Sequence, residues 1–314
     1  MSFVLKKLFQ RPKKVLEVLI RCKYSSQLHP VPLAYSSYEK LYKTCKDREN
    51  NPLIVMHGLF GAKSNWNSLC KAIHAKTNPN KKIICVDARN HGESPHTPTH
   101  SYELMAADIV ELLSTLNVDS AILMGHSMGG RCMAYVALKY PHLVEKLIVV
   151  DITPVPGLTL GTSQTDIPLF LEAMKAIQIP SDQTIHQGRK YADEQLSEII
   201  SEKSLRDFLI TNLMKEDSDG SFRWRINIEA LEQNFETSIM NFPNVDGMQY
   251  NGKTLFIGGE KSDYIKKEDW PKIQKLFPNS ELTYIQGAGH WVHSQKPNEF
   301  LELVLNFLKD DSSS

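Results

Sequence analysis

Residues 121–130 read AILMGHSMGG and join a short apolar run to a glycine-rich turn. The apolar run predicts a buried strand, and residues 129–140 that follow the turn have a helical pattern. Gly125 and Gly129 enclose Ser127 in the pattern G-x-S-x-G, which needs this strand–turn–helix context to be meaningful. The glycines are required because so tight a turn leaves no room for neighbouring Cβ atoms. The stretch therefore predicts a nucleophilic serine at position 127, exposed above the end of a sheet.

The alternation of strands and helices continues on both sides of this turn. Nearly continuous apolar runs are typical of parallel strands that helices cover on both faces, and they occur at 53–56, 82–86, 146–150, 254–257 and 282–285. Helical patterns near 66–76 and 102–116 separate the first of them, and residues 33–38 could add an antiparallel edge strand. The predicted fold class is α/β, with a mostly parallel sheet flanked by helices.

A helical insertion interrupts this rhythm. Residues 157–246 have helical patterns at 166–177, 189–201, 203–215 and 228–240 but no convincing strand pair. An insertion after a strand lies over the crevice in which such sheets bind ligands. We therefore expect core segments at 32–156 and 247–309, a cap at 157–246, and a short tail at 310–314.

A serine hydroxyl is a weak nucleophile and needs a base. His290 follows the last strand pattern in QGAGHW, residues 286–291, and comes after the serine in the chain order that this arrangement requires. His126 adjoins the serine, but neighbouring side chains on the turn point apart, so we interpret it as structural. His290 is the predicted base.

A carboxylate should orient that imidazole, and the residues alone leave its identity open. Asp151 ends the strand at 146–150, and Asp263 lies in the loop after the strand at 254–257. Glu229, in the insertion, is a more distant candidate.

Two backbone N–H groups are expected to stabilise the negative charge of a tetrahedral intermediate. One belongs to Met128, directly after the serine. The other is expected from Leu59 in the stretch HGLFG, residues 57–61, where Gly58 allows close approach.

Four motifs in this order resemble the α/β-hydrolase family: HGLFG at 57–61, DARNHGES at 87–94, GHSMGG at 125–130 and GAGHW at 287–291. The resemblance covers about residues 32–309. Within the family the chain is most similar to bacterial small esterases and mitochondrial α/β-hydrolase domain-containing proteins, through the cap stretches ADEQL at 192–196 and FRWRIN at 222–227.

The resemblance implies an α/β-hydrolase fold with a helical cap and a serine esterase or lipase that cleaves carboxylic (acyl) esters through a Ser-His-Asp triad, without a cofactor. Its substrate would be a small acyl ester or an acylglycerol-like molecule. The resemblance favours Asp151 as the acid, because the bacterial relatives have theirs after the strand before the cap. These relatives often lack an acid where this chain has Asp263, so Asp263 stays an alternative. The resemblance also implies association with a mitochondrial 2-oxoacid dehydrogenase complex, and a catalytically dispensable scaffold for such a complex is the alternative function.

Composition limits the other possibilities. The chain has 36 basic and 36 acidic residues, which gives no indication of a nucleic-acid partner, and no apolar run long enough for a transmembrane helix. Residues 1–24 are basic, apolar and nearly free of acids, which predicts a mitochondrial transit peptide and a matrix location; a surface helix or membrane anchor is the alternative. The spacing of the five cysteines indicates neither a metal site nor a disulfide scaffold: Cys22, Cys45, Cys70, Cys85 and Cys132.

Overall fold

The computed structural model of the chain describes residues 28–39, 51–157 and 166–309. The predicted transit peptide at 1–24 and the tail at 310–314 lie outside these described residues, as do Cys22 and Cys45.

A seven-stranded sheet forms the centre of the molecule. Its strands, in chain order, are β1 (Tyr35–Tyr38), β2 (Leu53–Met56), β3 (Ile83–Val86), β4 (Ala121–His126), β5 (Val144–Val150), β8 (Lys253–Gly259) and β9 (Ser280–Ile285). They lie side by side in the order β1-β3-β2-β4-β5-β8-β9. All pairs are parallel except β1 with β3, which is antiparallel. The predicted sheet, with its antiparallel edge strand, is confirmed.

Helices cover both faces of this sheet. They are α1 (Asn67–Lys76), α2 (Tyr102–Thr115), α3 (Met128–Lys139), α8 (Trp270–Leu276), α9 (Val292–Gln295) and α10 (Pro297–Leu308). Successive strand residues point to opposite faces, so Ile54 contacts the layer of α2 and α3, whereas Leu53 and Val55 contact the layer of α1 and α10. This double burial explains why the strands are apolar without interruption.

The cap has a hydrophobic core of its own, formed mainly by residues from Leu171 to Ile239. Its elements are α4 (Ile167–Ala176), α5 (Ile185–Leu196), α6 (Lys203–Ile210), β6 (Leu213–Lys215), β7 (Phe222–Trp224), α7 (Ile228–Asn234) and a π-helical turn (Phe235–Ile239). None of the helices in the described ranges is both long and apolar enough to cross a membrane.

The expectation that the insertion has no strand pair is wrong. β6 and β7 form an antiparallel hairpin, and the predicted helix at 203–215 ends at Ile210. Each strand has only three residues, too few for a period-of-two pattern to stand out from the helical spacing around it. Gly220, with φ 71°, makes the turn, and the side chains of Arg223 and Glu216 form an ion pair beside it.

The sheet register places the carboxyl ends of β4 and β5 at one level, beside Ile257 of β8. His126 pairs with Val150 and Val150 with Ile257, so Ser127 and Asp151 are the first residues beyond the ends of neighbouring strands. The Ser127 N–H donates to the Val150 carbonyl at 2.9 Å, and the Asp151 N–H donates to the Ile257 carbonyl at 2.8 Å.

Candidate active site

Ser127 occupies a strained turn between β4 and α3. Its φ of 53° and ψ of −121° lie outside the regions that L-residues normally adopt. A Cβ on Gly125 would lie 2.2 Å from the Gly129 carbonyl oxygen, and a Cβ on Gly129 would lie 2.4 Å from the His57 carbonyl oxygen. Only glycine fits at either position. Because backbone strain of this kind persists only where the surrounding structure maintains it, the turn points to a functional role for Ser127.

Asp151 and His290 are in direct contact. The Nδ1 of His290 lies 2.8 Å from Oδ2 of Asp151, although the two residues are 139 positions apart. Asp151 is fully buried, and its carboxylate also accepts hydrogen bonds from the Gly259 N–H at 2.9 Å and the Ser262 hydroxyl at 2.5 Å. Three donors therefore fix the carboxylate. Since a carboxylate can only accept a hydrogen bond, Nδ1 carries the hydrogen and the imidazole keeps its free lone pair at Nε2.

Two neighbours fix the position of the His290 ring and backbone. The Tyr264 ring stacks on the imidazole, with centroids 3.6 Å apart and planes 20° from parallel. His126 Nε2 lies 2.8 Å from the His290 carbonyl oxygen, so Nε2 carries the hydrogen and donates a hydrogen bond to this carbonyl. Burial lowers the pKa of His126 well below its usual range, which keeps this imidazole neutral. The structural role expected for His126 agrees with these contacts.

The two expected oxyanion donors lie in segments that adjoin Ser127. Met128 is the first residue of α3, and the N–H of a first helical residue has no acceptor within its own helix. Leu59 lies in the turn after β2. A Cβ on Gly58 would lie 3.1 Å from Cβ of Ser127, so this loop runs directly beside the predicted nucleophile.

A cavity of about 470 Å³ opens over these groups. Ser127, His290, Leu59 and Met128 all line it. The remaining wall is largely apolar and comes from both the core and the cap, with Ile152, Phe170, Leu205, Phe208, Ile239 and Met240 among its residues. Such a volume is within the usual range for sites that bind small molecules.

Several buried histidines surround the site and are uncharged. Burial lowers the pKa of His293 to about 3 and that of His100 to about 3. His293 stacks on Trp66 at 4.2 Å between centroids. His57 is buried as well, and its lowered pKa has the same cause. The Asp87 Oδ1 lies 4.0 Å from the Nε2 of His57, beyond hydrogen-bond distance, whereas Asp151 lies 2.8 Å from His290, which distinguishes His57 from the predicted base.

The other candidate acids are placed differently. Asp263 lines the cavity, but the carboxylate bonded to His290 belongs to Asp151. Glu229 is exposed on the cap. Within 28–39, 51–157 and 166–309, no group of three or more His, Cys, Asp or Glu residues could hold a metal ion. The sequence motifs give no indication of Tyr264 or Ser262, because a stacking or bracing contact needs no fixed spacing.

The chain is similar to known hydrolases over most of its length. The family model described as alpha/beta hydrolase fold matches residues 51–297. The chain is 42% identical over 284 residues to the sn-1-specific diacylglycerol lipase ABHD11 of Mus musculus, covering 90% of this chain and 87% of the relative. It is 34% identical over 281 residues to a putative esterase/lipase of Haemophilus influenzae, covering 89% and 91%. A solved structure titled marine microorganism esterase superposes with a TM-score of 0.78 at 35% identity, covering 88% of this chain and all of that chain.

The predicted similarity to α/β-hydrolase domain-containing proteins and bacterial esterases is confirmed by these matches, and so is the enzyme class, carboxylic-ester hydrolase. The chain belongs to the α/β-hydrolase fold family.

Proposed function

We propose that the protein hydrolyses carboxylic esters through an acyl-enzyme intermediate on Ser127. The observation that carries the proposal is the 2.8 Å contact between His290 and Asp151, in a cavity that also contains the strained Ser127. A serine, a histidine with free Nε2 and a buried carboxylate have the complementary roles of nucleophile, base and orienting acid.

The reaction has two halves. Ser127 Oγ attacks the ester carbonyl carbon while Nε2 of His290 takes the hydroxyl proton. The N–H groups of Leu59 and Met128 donate to the oxyanion that forms. When the tetrahedral intermediate collapses, the bond to the alcohol oxygen breaks and His290 protonates the departing alcohol. Water then attacks the acyl carbon while His290 takes its proton. The bond between the acyl carbon and Ser127 Oγ breaks, His290 returns the proton to Oγ, and the carboxylic acid leaves.

The cavity wall supports an apolar acyl group as substrate. Phe170, Leu205, Phe208 and Met240 of the cap face the same space as Ile152 of the core. Together with the mouse relative, which is named for action on diacylglycerol, this lining favours a small acyl ester or an acylglycerol-like molecule.

Hydrolysis of p-nitrophenyl esters from acetate to decanoate tests the proposal. The full chain should release p-nitrophenol, and Ser127→Ala should reduce turnover to background while circular dichroism shows an unchanged fold. The chain length with the highest kcat/KM then gives the depth of the cavity. A folded wild-type chain that cleaves none of these esters, or a Ser127→Ala variant that still does, would contradict the proposal.

A mitochondrial matrix location is a second proposal, supported by the basic, acid-poor composition of residues 1–24. A fusion of residues 1–30 to a fluorescent reporter should enter mitochondria. A fusion that stays in the cytosol would refute the proposed mitochondrial location without affecting the proposed chemistry.

A further inference from the structure

Asn212 is a buried polar residue of the cap that contacts the catalytic loop of the core. It follows α6, and its side-chain Nδ2 donates to the Phe60 carbonyl at 2.8 Å, across 152 positions of sequence. The Asn212 carbonyl accepts the Arg225 N–H at 2.8 Å, which fixes its backbone within the cap. Asn212 is only 2% exposed, so its side-chain amide is shielded from solvent and depends on hydrogen bonds within the protein.

The contact continues to the peptide that carries an expected oxyanion donor. The Phe60–Gly61 peptide, whose carbonyl Asn212 binds, donates its own N–H from Gly61 to the Gly58 carbonyl at 3.0 Å. That carbonyl belongs to the Gly58–Leu59 peptide. Because a peptide is planar, the direction of the Gly58 C=O sets the direction of the Leu59 N–H.

His57 supplies the second donor to the same carbonyl. Its Nδ1 lies 2.7 Å from the Gly58 oxygen, and its Nε2 accepts the Ala88 N–H at 3.0 Å. The Gly58–Leu59 peptide is thus held from two sides, by His57 of the core and, through Gly61, by Asn212 of the cap.

The contacts with the cap hold Phe60 in a backbone conformation that is unusual for a non-glycine residue. Its φ of 63° lies in the left-handed region, which non-glycine residues adopt at a cost. Its side chain is buried in the hydrophobic core of the cap, among residues such as Leu171 and Leu209. The cap therefore holds both the side chain and the carbonyl of this residue in a conformation that the loop would not favour alone.

We propose that Asn212 is a positioning residue that aligns the Leu59 N–H with the developing oxyanion, so that the cap sets the strength of the oxyanion hole as well as covering the cavity. This inference rests on the proposed function, since it requires hydrolysis through Ser127. Loss of the Asn212 amide should weaken binding of the transition state and leave binding of the neutral ester nearly unchanged.

The test compares Asn212→Leu with Asn234→Leu. Asn234 is a matched control because it too is a cap asparagine whose Nδ2 donates to a core carbonyl, that of Pro98 at 2.9 Å, away from the oxyanion loop. For each variant, kcat and KM would be measured with the best p-nitrophenyl ester, at temperatures below its own Tm. Inhibition by a trifluoromethyl ketone, which forms a tetrahedral adduct, would be compared with inhibition by the methyl ketone of the same chain.

We expect Asn212→Leu to lower kcat by about 10- to 100-fold, less than the loss of a complete oxyanion donor, with KM changed by less than about threefold. Inhibition by the trifluoromethyl ketone should weaken by a factor similar to the loss in kcat, whereas inhibition by the methyl ketone should stay unchanged. Asn234→Leu should leave kcat, KM and inhibition by each of the two ketones near the wild-type values.

The proposal would be overturned by an Asn212→Leu variant with wild-type kcat. It would also be overturned if inhibition by both ketones weakened equally, since either result gives Asn212 only a structural role. Asn212→Ser, with a smaller polar side chain that cannot reach Phe60, serves if the leucine variant does not fold, and the same outcomes apply to it. Wild-type turnover and its loss in Ser127→Ala are measured first, so that a failure of the proposed function is distinguished from a failure of this inference.

Discussion

His290 Nδ1 lies 2.8 Å from Oδ2 of Asp151, and these two atoms connect the loop after β9 to the end of β5. The carboxylate is fully buried, whereas the imidazole is partly exposed toward the cavity. This arrangement fits an acid that orients the base without contacting substrate. It predicts that substitutions of the two candidate acids, Asp151 and Asp263, have different effects on kcat.

Asp151→Asn should lower kcat by about 10⁴-fold, because an amide at this position stabilises the wrong imidazole tautomer. Asp263→Asn is the matched control, since Asp263 lines the same cavity, and it should change kcat by less than about tenfold. Steady-state hydrolysis of one p-nitrophenyl ester measures kcat for both variants. The reverse order of effects would assign the acid to Asp263.

Tyr264 should matter through its ring face and not through its hydroxyl. The ring stacks on His290 at 3.6 Å, and such aromatic contacts are worth about 0.5–1.5 kcal/mol, up to about tenfold in rate. Tyr264→Leu should therefore reduce kcat by about tenfold, whereas Tyr264→Phe should stay within about threefold of the wild type. Equal losses in the two variants would show that stacking on the base is not what Tyr264 contributes.

Buried neutral histidines should make the fold sensitive to acid. The pKa of His293 is lowered to about 3 by burial, against about 6.5 in an unfolded chain. Between pH 6.5 and 3 the unfolded state therefore binds a proton that the folded state excludes, so the free energy of unfolding falls as pH falls. This histidine alone should contribute a slope of about 1.4 kcal/mol per pH unit, with no effect above pH 6.5.

The variant His293→Phe removes the titrating group and retains an aromatic ring against Trp66. Urea unfolding from pH 7.5 to 4.5 should show a shallower loss of stability in this variant than in the wild type. His186→Phe, at an exposed position of the cap, should have the wild-type slope. Identical slopes in all three proteins would show that His293 does not resist protonation in the folded state.

Arg131 should be important for anchoring the end of the cap to the core. Its buried guanidinium donates to the carbonyls of Thr153 at 3.1 Å, Ile239 at 3.4 Å and Met240 at 2.8 Å. Arg131→Met removes this donor from the Thr153 and Met240 carbonyls, while the Ile239 carbonyl keeps the Tyr102 hydroxyl at 2.7 Å. The variant should lower the free energy of unfolding by about 3 kcal/mol. Arg189→Met, at an exposed cap position, should cost less than about 0.5 kcal/mol. Similar stabilities of the two variants in urea would refute this role.

The sheet and the tight turn that holds Ser127 could be predicted because their signals are local. Ser127 follows an apolar strand within a few residues, and the runs at 53–56 and 146–150 are apolar on both faces. The choice between Asp151 and Asp263 could not be made from the residues alone, since both follow the carboxyl ends of parallel strands and the decisive quantity is a distance to His290.

The contacts that support the site have no local signal at all. Asn212 bonds to Phe60 across 152 residues, and Tyr264 stacks on His290 through a packing geometry that no motif encodes. The β6–β7 hairpin was not predicted for a related reason, because its three-residue strands are shorter than the pattern needed to recognise them.

The central claim, that Asp151 and His290 activate Ser127, is tested most directly by the rate at which an alkyl fluorophosphonate labels the chain, followed by peptide mass mapping. Such a reagent reacts with a serine whose proton a neighbouring base removes. We predict a single label on Ser127 in the wild type, a rate at least about 100-fold lower in Asp151→Asn, and no label in Ser127→Ala. A label on another residue, or equal rates in the wild type and Asp151→Asn, would contradict the account.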